Sequence, residues 1–317
     1  MKDFRKIAEE RHAINEGIRA FFQSRTYLEV ETPILVESPG MEPNLTPFET
    51  HVEEPNGKRH LAGLITSPEY SMKKLLGQGL ERIFTLTKVF RNQESLGGIH
   101  NPEFTMLEWY QIGKDYHACM DETQALLSHL GFHEEIERYR VRDVFLREAG
   151  IDLDDATKET LEKTCKTLGI HCDPTDTESD LFYRLFLEKV EPTFQGKNLF
   201  LYDYPRHQAS LSDLTPDGRY GQRFELYING VELCNGFTEL TNAVEQRSRF
   251  MEEAHERETL GKPVYPIDEE LLRLLPSIHK PTFGNALGVD RLHMVLKGYS
   301  QIQDVLLFPA NNLFTHQ

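Results

Sequence analysis

Asn229 and Gly230 stand between two β-rich runs in FELYINGVELCNGF, and no other short segment constrains the fold of this chain so tightly. An Asn-Gly pair takes the positive backbone angles of a two-residue hairpin turn, whose twist matches that of the strands it joins. Such a turn sets the register: Ile228 faces Val231, Tyr227 faces Glu232, and alternation puts Glu225 on the side of Tyr227. Glu225 and Glu232 are therefore expected as diagonal neighbours on one face. Two carboxylates that close repel each other unless one holds a proton or a cation lies between them. Mg2+ carried by nucleotide phosphates meets that need, because it binds through one or two carboxylates plus phosphate oxygens. A solvated acidic face would look the same, and the hairpin alone does not choose.

A second strand, EFTMLEWY, puts Phe104, Met106, Glu108 and Tyr110 on one face and Thr105, Leu107 and Trp109 on the other. A carboxylate beside a Tyr hydroxyl and aromatic rings suits an ammonium group. A satisfied buried carboxylate, or the exposed side of a sheet, would give the same pattern. Arg91 ends the strand TLTKVF, and Arg291 sits at the strand-to-helix junction of GVDR. Each can clamp a phosphate with its planar fork of donors, although isolated arginines mostly make surface contacts. Gly284 and Gly288 permit close backbone approach to a ligand, and packing against a neighbouring strand explains them as simply. The G-x-x-x-x-G-K-[ST] phosphate loop does not occur, nor do the spacings of metalloprotease or metal-finger sites.

Phe4, Ile7, Ala8, Ile14, Ile18, Phe21 and Phe22 recur at helical spacing, so the chain opens with a helix to about Arg25. Residues 31–36, around Pro33, suit a strand edge. LAGLITSPEYSMKKLL turns from strand to helix near Pro68. Ile83 to Phe90 and Glu103 to Tyr110 form a long hairpin across a loop holding Gly97 and Gly98. From Tyr116 to Leu187 the pattern is mostly helical and acidic, with a stop at Gly169, and strands return after Phe200. NALGVDRLHMVLKG reads as a buried strand entering a helix. No repeat or linker divides residues 1–317, which implies one α+β domain with an antiparallel sheet.

Charge narrows the partners. Thirty-five basic against 51 acidic residues leave a net −16, with no basic half or tail to release counterions from long stretches of phosphate. No apolar run approaches a membrane span, and the charged N-terminus lacks the apolar centre of a secretory signal, so a cytoplasmic location is expected. Cys119, Cys165, Cys172 and Cys234 show neither a CxxC pair nor disulfide-scaffold density; Cys165, His171 and Cys172 could be imagined as metal ligands, and reduced thiols are the favoured reading.

FRNQESLGGIHNPEFTMLEWY resembles motif 2 of the class II aminoacyl-tRNA synthetases, ALGVDRL resembles motif 3, and the opening helix with VETPIL resembles motif 1. HNPEFTMLE, NGVELCNGFTEL and TSPEY are similar to lysyl-tRNA synthetase in particular. The order and spacing hold over almost the whole chain. The resemblance implies a six- or seven-stranded antiparallel sheet flanked by helices and a homodimer formed through motif 1. The chain starts directly at the motif 1 helix, where lysyl-tRNA synthetases carry an upstream anticodon-binding domain. With Gln208, Ala209, Ser210 and Leu211, that feature is similar to the elongation factor P lysine ligases, paralogues that attach (R)-β-lysine to a lysine side chain of elongation factor P. Ser67 and Ala286, where lysyl-tRNA synthetases usually have Ala and Gly, also match the ligases; small neutral drift is the alternative reading.

By resemblance, Arg91 holds the α-phosphate and the substrate carboxylate, while Phe104 and Arg291 sandwich the adenine. Asn92, Gln93, Asn101, Leu233 and Gly288 line the ATP site, and Glu225 and Glu232 hold Mg2+. Glu69, beside Ser67 and Pro68, meets the backbone-side amine of a lysine-type substrate; Glu108, Tyr110 and Glu239 meet its ε-ammonium, with Ala286 on the facing wall. The implied chemistry is in-line attack of the carboxylate on the α-phosphate, leaving a lysyl adenylate that an acceptor amine then resolves. Two departures bear on ATP. Gln93 replaces a glutamate expected at the adenine, for which Glu94 substitutes if the loop is re-registered; and in the longer loop GGI stands where an arginine usually reaches the γ-phosphate, leaving His100 or a distant lysine to compensate. A protein acceptor is expected rather than tRNA, with Arg5, Lys6, Arg11, Lys73 and Lys74 as a docking patch. The rivals are an activator of α-lysine or another cationic amino acid with a different acceptor, tRNA included, and a silent regulatory paralogue.

Overall fold

The computed structural model describes residues 2–209 and 211–314. Its strands are β1 (Leu28–Glu29), β2 (Leu35–Val36), β3 (Glu49–Glu53), β4 (Arg59–Leu64), β5 (Arg82–Phe90), β6 (Glu103–Ile112), β7 (Glu137–Arg140), β8 (Asn198–Pro205), β9 (Tyr220–Ile228), β10 (Val231–Thr238) and β11 (Thr282–Gly288). Its helices are α1 (Phe4–Ser24), α2 (Glu69–Gly77), α3 (Tyr116–His129), α4 (Val141–Glu148), α5 (Lys158–Thr167), α6 (Glu178–Leu185), α7 (Ala243–Thr259), α8 (Glu269–Leu274), α9 (Val289–Lys297) and α10 (Ala310–Leu313).

The main sheet runs β1-β5-β6-β11-β10-β9-β8-β7. The six strands from β5 to β8 are antiparallel throughout, within the expected range. Two short edge strands, β1 and β7, pair parallel and bring the total to eight. Strands of two and four residues carry too little alternation to stand out in a sequence. A separate sheet, β2-β4-β3, takes up only Leu35 and Val36 of the extended stretch around Pro33.

α1 begins where Asp3 accepts a hydrogen bond from the Lys6 amide, and it buries Ile7, Ile14, Ile18, Phe21 and Phe22. Phe4 is 49% exposed and Ala8 also faces out, so the buried stripe is narrower than the spacing implies. Phe22 stacks on Phe84 at 4.8 Å between ring centroids and lies 5.4 Å from Trp109. This core of α1, α3, α9 and one sheet face takes Leu107 and Trp109 of β6. Each large apolar side chain fully buried there is worth about 1.5–3 kcal/mol. The other face of β6 turns Phe104, Met106, Glu108 and Tyr110 into a cavity, as alternation requires. A second core joins α4 to α6 and β8, with Phe145 stacked on Phe182 at 4.6 Å. α5 gives way to Gly169 at φ 73, the expected stop.

The β9–β10 turn has Asn229 at φ 51 and Gly230 at φ 76, and it pairs Ile228 with Val231 and Tyr227 with Glu232. Beyond that the expected register fails. A bulge between Glu232 and Cys234 sets Glu225 opposite Asn235, but Tyr227 still pairs with Glu232, and both glutamates line the same cavity. Its physical reason is burial: Leu233 and Cys234, adjacent in sequence, are both only 2% exposed, and an unbroken alternation would turn one of them away from the core.

Candidate active site

One cavity of about 1090 Å³ opens on the sheet face opposite α1. It collects Ser67, Glu69, Arg91, Asn101, Phe104, Glu108, Tyr110, Glu225, Glu232, Leu233, Glu239, Ala286, Gly288 and Arg291. Pro68, Asn92 and Gln93 do not line it. Pro68 precedes the first turn of α2, where its fixed φ suits the helix start. Gln93 adopts φ 63 and turns outward, accepting a hydrogen bond from the Thr46 hydroxyl at 3.2 Å. Asn92 is exposed and caps the Gln93 amide at 2.9 Å. Glu94 is the acid of this loop that lines the cavity, 3.9 Å from His100.

At the Arg91 end, the guanidinium lies 5.2 Å from the Phe104 ring centroid. Burial pulls its pKa down, partly offset by Glu232 and then Glu94. Arg91 Nε is buried without a hydrogen-bond partner among the described residues, a donor left for a ligand. Arg291 donates to the Glu232 carbonyl at 2.9 Å and to its carboxylate at 3.4 Å, and reaches the Ile99 carbonyl at 3.3 Å. A Cβ at Gly288 would meet only ordinary contacts with Arg291, so this glycine keeps open space above the strand. Gly284 is different: a Cβ there would collide with Glu239 Oε1 and the Tyr110 ring, which makes it a packing glycine.

The other end is closed. Glu108 is fully buried on β6, opposite Ala286 of β11. The Ser67 hydroxyl donates to its Oε1 at 2.5 Å, and the Tyr110 hydroxyl to its Oε2 at 2.8 Å. Burial, and then the charge of Glu69, push the Glu108 carboxyl up to about 8 despite those bonds. Glu239, 3% exposed, is raised well above the carboxylate range by burial, with Lys73 opposing the shift.

Lys73 corrects a sequence expectation. Proposed as part of an exposed docking patch, it is 1% exposed, and its Nζ lies 2.5 Å from Glu69 Oε1 and 2.5 Å from Glu239 Oε2. The signal was available in the four-residue spacing from Glu69, which places both on one face of α2 with the apolar Met72 and Leu76 also buried. Lys74 pairs with Asp268 at 2.6 Å and Arg11 with Asp290, leaving Arg5 and Lys6 as the exposed remainder of that patch.

Glu225 is heavily committed: Arg223 bonds its Oε1 at 2.5 Å, while Tyr204 and Tyr227 donate to its Oε2. Burial raises its pKa, Arg223 opposes and the neighbouring Glu232 adds repulsion. Glu232, with its side chain 39% exposed, is the open carboxylate. Among the described residues no group of three or more His, Cys, Asp or Glu could hold a metal. Glu232, open to the cavity beside Arg291, could give one carboxylate to an ion whose remaining ligands are phosphate oxygens.

Sequence reasoning missed Glu42, whose buried carboxyl is raised by desolvation and then by Glu69, and Arg223, which stacks 4.4 Å from the Tyr204 ring centroid. Alternation could have found Arg223, two residues before Glu225 on β9 and on the same face, whereas Glu42 is brought in from a segment without a local motif. Gln208 is buried and donates to the Ser179 hydroxyl at 2.6 Å, with Ala209 and Leu211 also buried; Ser210 lies outside the described residues. Cys119, Cys165, Cys172 and Cys234 are free thiols, as expected. Fourteen acidic side chains line the cavity against five arginines, a balance that calls for cationic ligands.

The chain matches the family model described as tRNA synthetases class II (D, K and N) over residues 1–312. It is 41% identical over 302 residues to "Elongation factor P--(R)-beta-lysine ligase" of Proteus mirabilis (strain HI4320), covering 94% of this chain and 93% of that protein. It is also 41% identical to the proteins of the same name from Yersinia enterocolitica, over 307 residues, and Salmonella typhi, over 308; each comparison covers 95% of this chain and 94% of the relative. Taken with the antiparallel sheet and the cavity that unites four separated segments, these matches identify the chain as an enzyme of the class II tRNA synthetase family.

Proposed function

We propose that this enzyme activates (R)-β-lysine with ATP as an aminoacyl adenylate and transfers it to a lysine side chain of elongation factor P. One observation carries the reading: a single cavity joins an arginine-and-aromatic end, with an unpartnered Arg91 donor, to a closed end where Glu69, Glu108 and Glu239 face inward. The first suits a nucleotide and the second a dicationic amino acid. The names of the relatives point to the same amino acid and acceptor.

In this reading Arg91 orients the substrate carboxylate against the α-phosphate, and Phe104 and Arg291 bracket the adenine. The carboxylate is already ionised, so adenylate formation needs no side-chain base and rests on positioning and charge stabilisation. Glu232, with Glu225 behind it, would hold Mg2+, which neutralises phosphate charge as pyrophosphate leaves. The acceptor amine then attacks the acyl carbon and AMP departs. Ser67 supports the β-amino acid because its hydroxyl is tied to Glu108, narrowing the wall on which an amino group must settle. Pairing of two copies through motif 1 is supported by exposed Phe4 on α1 and exposed Leu28, Ile34 and Leu35 in the extended stretch that follows. No described helix is long and apolar enough to cross a membrane.

ATP–pyrophosphate exchange with (R)-β-lysine and with α-lysine, followed by labelling of elongation factor P or tRNA, tests the proposal. Exchange favouring (R)-β-lysine and labelling of elongation factor P are expected. Preferential labelling of tRNA, or no exchange with any cationic amino acid, would refute it. Ser67→Ala with Ala286→Gly should move selectivity toward α-lysine.

A further inference from the structure

Buried lysines are rare unless paired, and Lys73 is paired twice, with carboxylates from two different elements. Glu69 stands one turn earlier on α2, while Glu239 directly follows β10. Each carboxylate gives Lys73 one oxygen: Oε1 from Glu69 and Oε2 from Glu239. The remaining oxygen of Glu239, Oε1, is buried, has no hydrogen-bond partner among the described residues, and sits against Gly284 and Tyr110. Glu239 is therefore clamped between a cation on one side and a glycine on the other. The groups facing this cluster are Glu69 from α2, Glu108 and Tyr110 from β6, and Glu42 from the segment before β3. The Phe237 ring centroid lies 5.5 Å from Lys73 Nζ. Lys73 is the cation central to this group of acids, and buried carboxylates without a counter-charge take up protons.

We propose that Lys73 is a positioning residue for amino-acid recognition: a fixed counter-ion that tethers one oxygen each of Glu69 and Glu239 and leaves the other oxygens to receive the substrate's ammonium groups. The inference rests on the function proposed above. It also accounts for how so many acids coexist before substrate arrives: the protein supplies one positive charge permanently and the substrate supplies the rest. Lys73 itself stays charged, since burial alone would lower its pKa but Glu239, and then Glu69, outweigh it.

The test uses Lys73→Met, which keeps the length of the side chain without its charge, and Lys73→Ala with added n-propylammonium or n-propanol. Lys73→Met should raise the KM for the amino acid roughly tenfold or more, with KM for ATP changed less than about twofold. That penalty should shrink between about pH 6 and about pH 9, as the acids it exposes ionise. n-Propylammonium should restore much of the Lys73→Ala loss while n-propanol does not. An unchanged amino-acid KM, or equal rescue by the alcohol, would overturn the proposal. Pyrophosphate exchange by the unmodified enzyme tests the underlying function separately. Independently of turnover, 13C-carboxyl NMR should show Glu239 titrating at higher pH in Lys73→Met than in the parent, its signal assigned by loss in Glu239→Gln. An identical titration would sink the role of Lys73 even if the enzyme activates no lysine. If Lys73→Met does not fold, Lys73→Gln, which also removes the charge, supplies the same readings.

Discussion

The two ends of the cavity solve opposite problems with the same kinds of charge. At the closed end Glu69, Lys73, Glu108 and Glu239 are at most 9% exposed and hold one another on α2, β6 and the end of β10. At the open end Arg91, Glu94, His100, Glu232 and Arg291 are partly exposed, and Glu94 and His100 ride on the loop between β5 and β6. Water screens charges at the open end and is excluded from the closed one, where each unit of charge therefore matters more. The closed end is preorganised to select; the open end is finished by its ligand.

If that contrast holds, the largest effect should come from the open end without loss of stability. Glu232→Gln should lower the exchange rate about a hundredfold, corresponding to about 2.7 kcal/mol, and leave the thermal transition in place. Exchange at the parental rate would remove Glu232 from the reaction. Gly284→Ala should do the reverse. Its Cβ collides with Glu239 and Tyr110, so a loss of about 1–3 kcal/mol in denaturant unfolding is expected, with a raised amino-acid KM. Parental stability would mean the clamp on Glu239 is loose.

A pH effect follows in size. Burial, and then the charge of Glu69, push the Glu108 carboxyl up to about 8, above the ordinary carboxylate range, so the folded protein holds that proton longer than the unfolded chain does. Its contribution to stability is complete below the unfolded value and is lost as pH rises through about 8. Cation binding runs the other way, because an ionised Glu108 is the better partner: the amino-acid KM should fall as pH rises through the same window. Glu108→Gln should flatten both profiles, and an unchanged slope would place the titration elsewhere. The smallest contrast lies within the loop. Glu94→Gln should raise the KM for ATP a few-fold, whereas Gln93→Ala should change it less than about twofold, since Gln93 faces Thr46. The opposite ranking would restore Gln93 to the nucleotide site.

Much of this was legible because period and spacing survive without the fold. Alternation in EFTMLEWY correctly separated the cavity residues Glu108 and Tyr110 from the core residues Leu107 and Trp109. Asn229-Gly230 correctly set the first two pairs of the hairpin. The bulge at Glu232 to Cys234 was not legible, because it answers the demand of a core built by distant helices. Neither was the outward turn of Gln93, which meets Thr46, nor the second partner of Lys73: the spacing from Glu69 hinted at its burial, but Glu239 comes from far along the chain.

From sequence alone came the long elements, which follow from local periodicity, and, through resemblance to a known family, the order of the motifs, the membership they imply and the types of residue assembled for the site. Tertiary structure alone decided which acid of the loop faces the cavity, which glycine is for packing and which for open space, and that a buried lysine joins two of the cavity's acids. Those outcomes depend on which chain segments meet in space and on how much water remains between them, and neither quantity is carried by any local stretch of sequence.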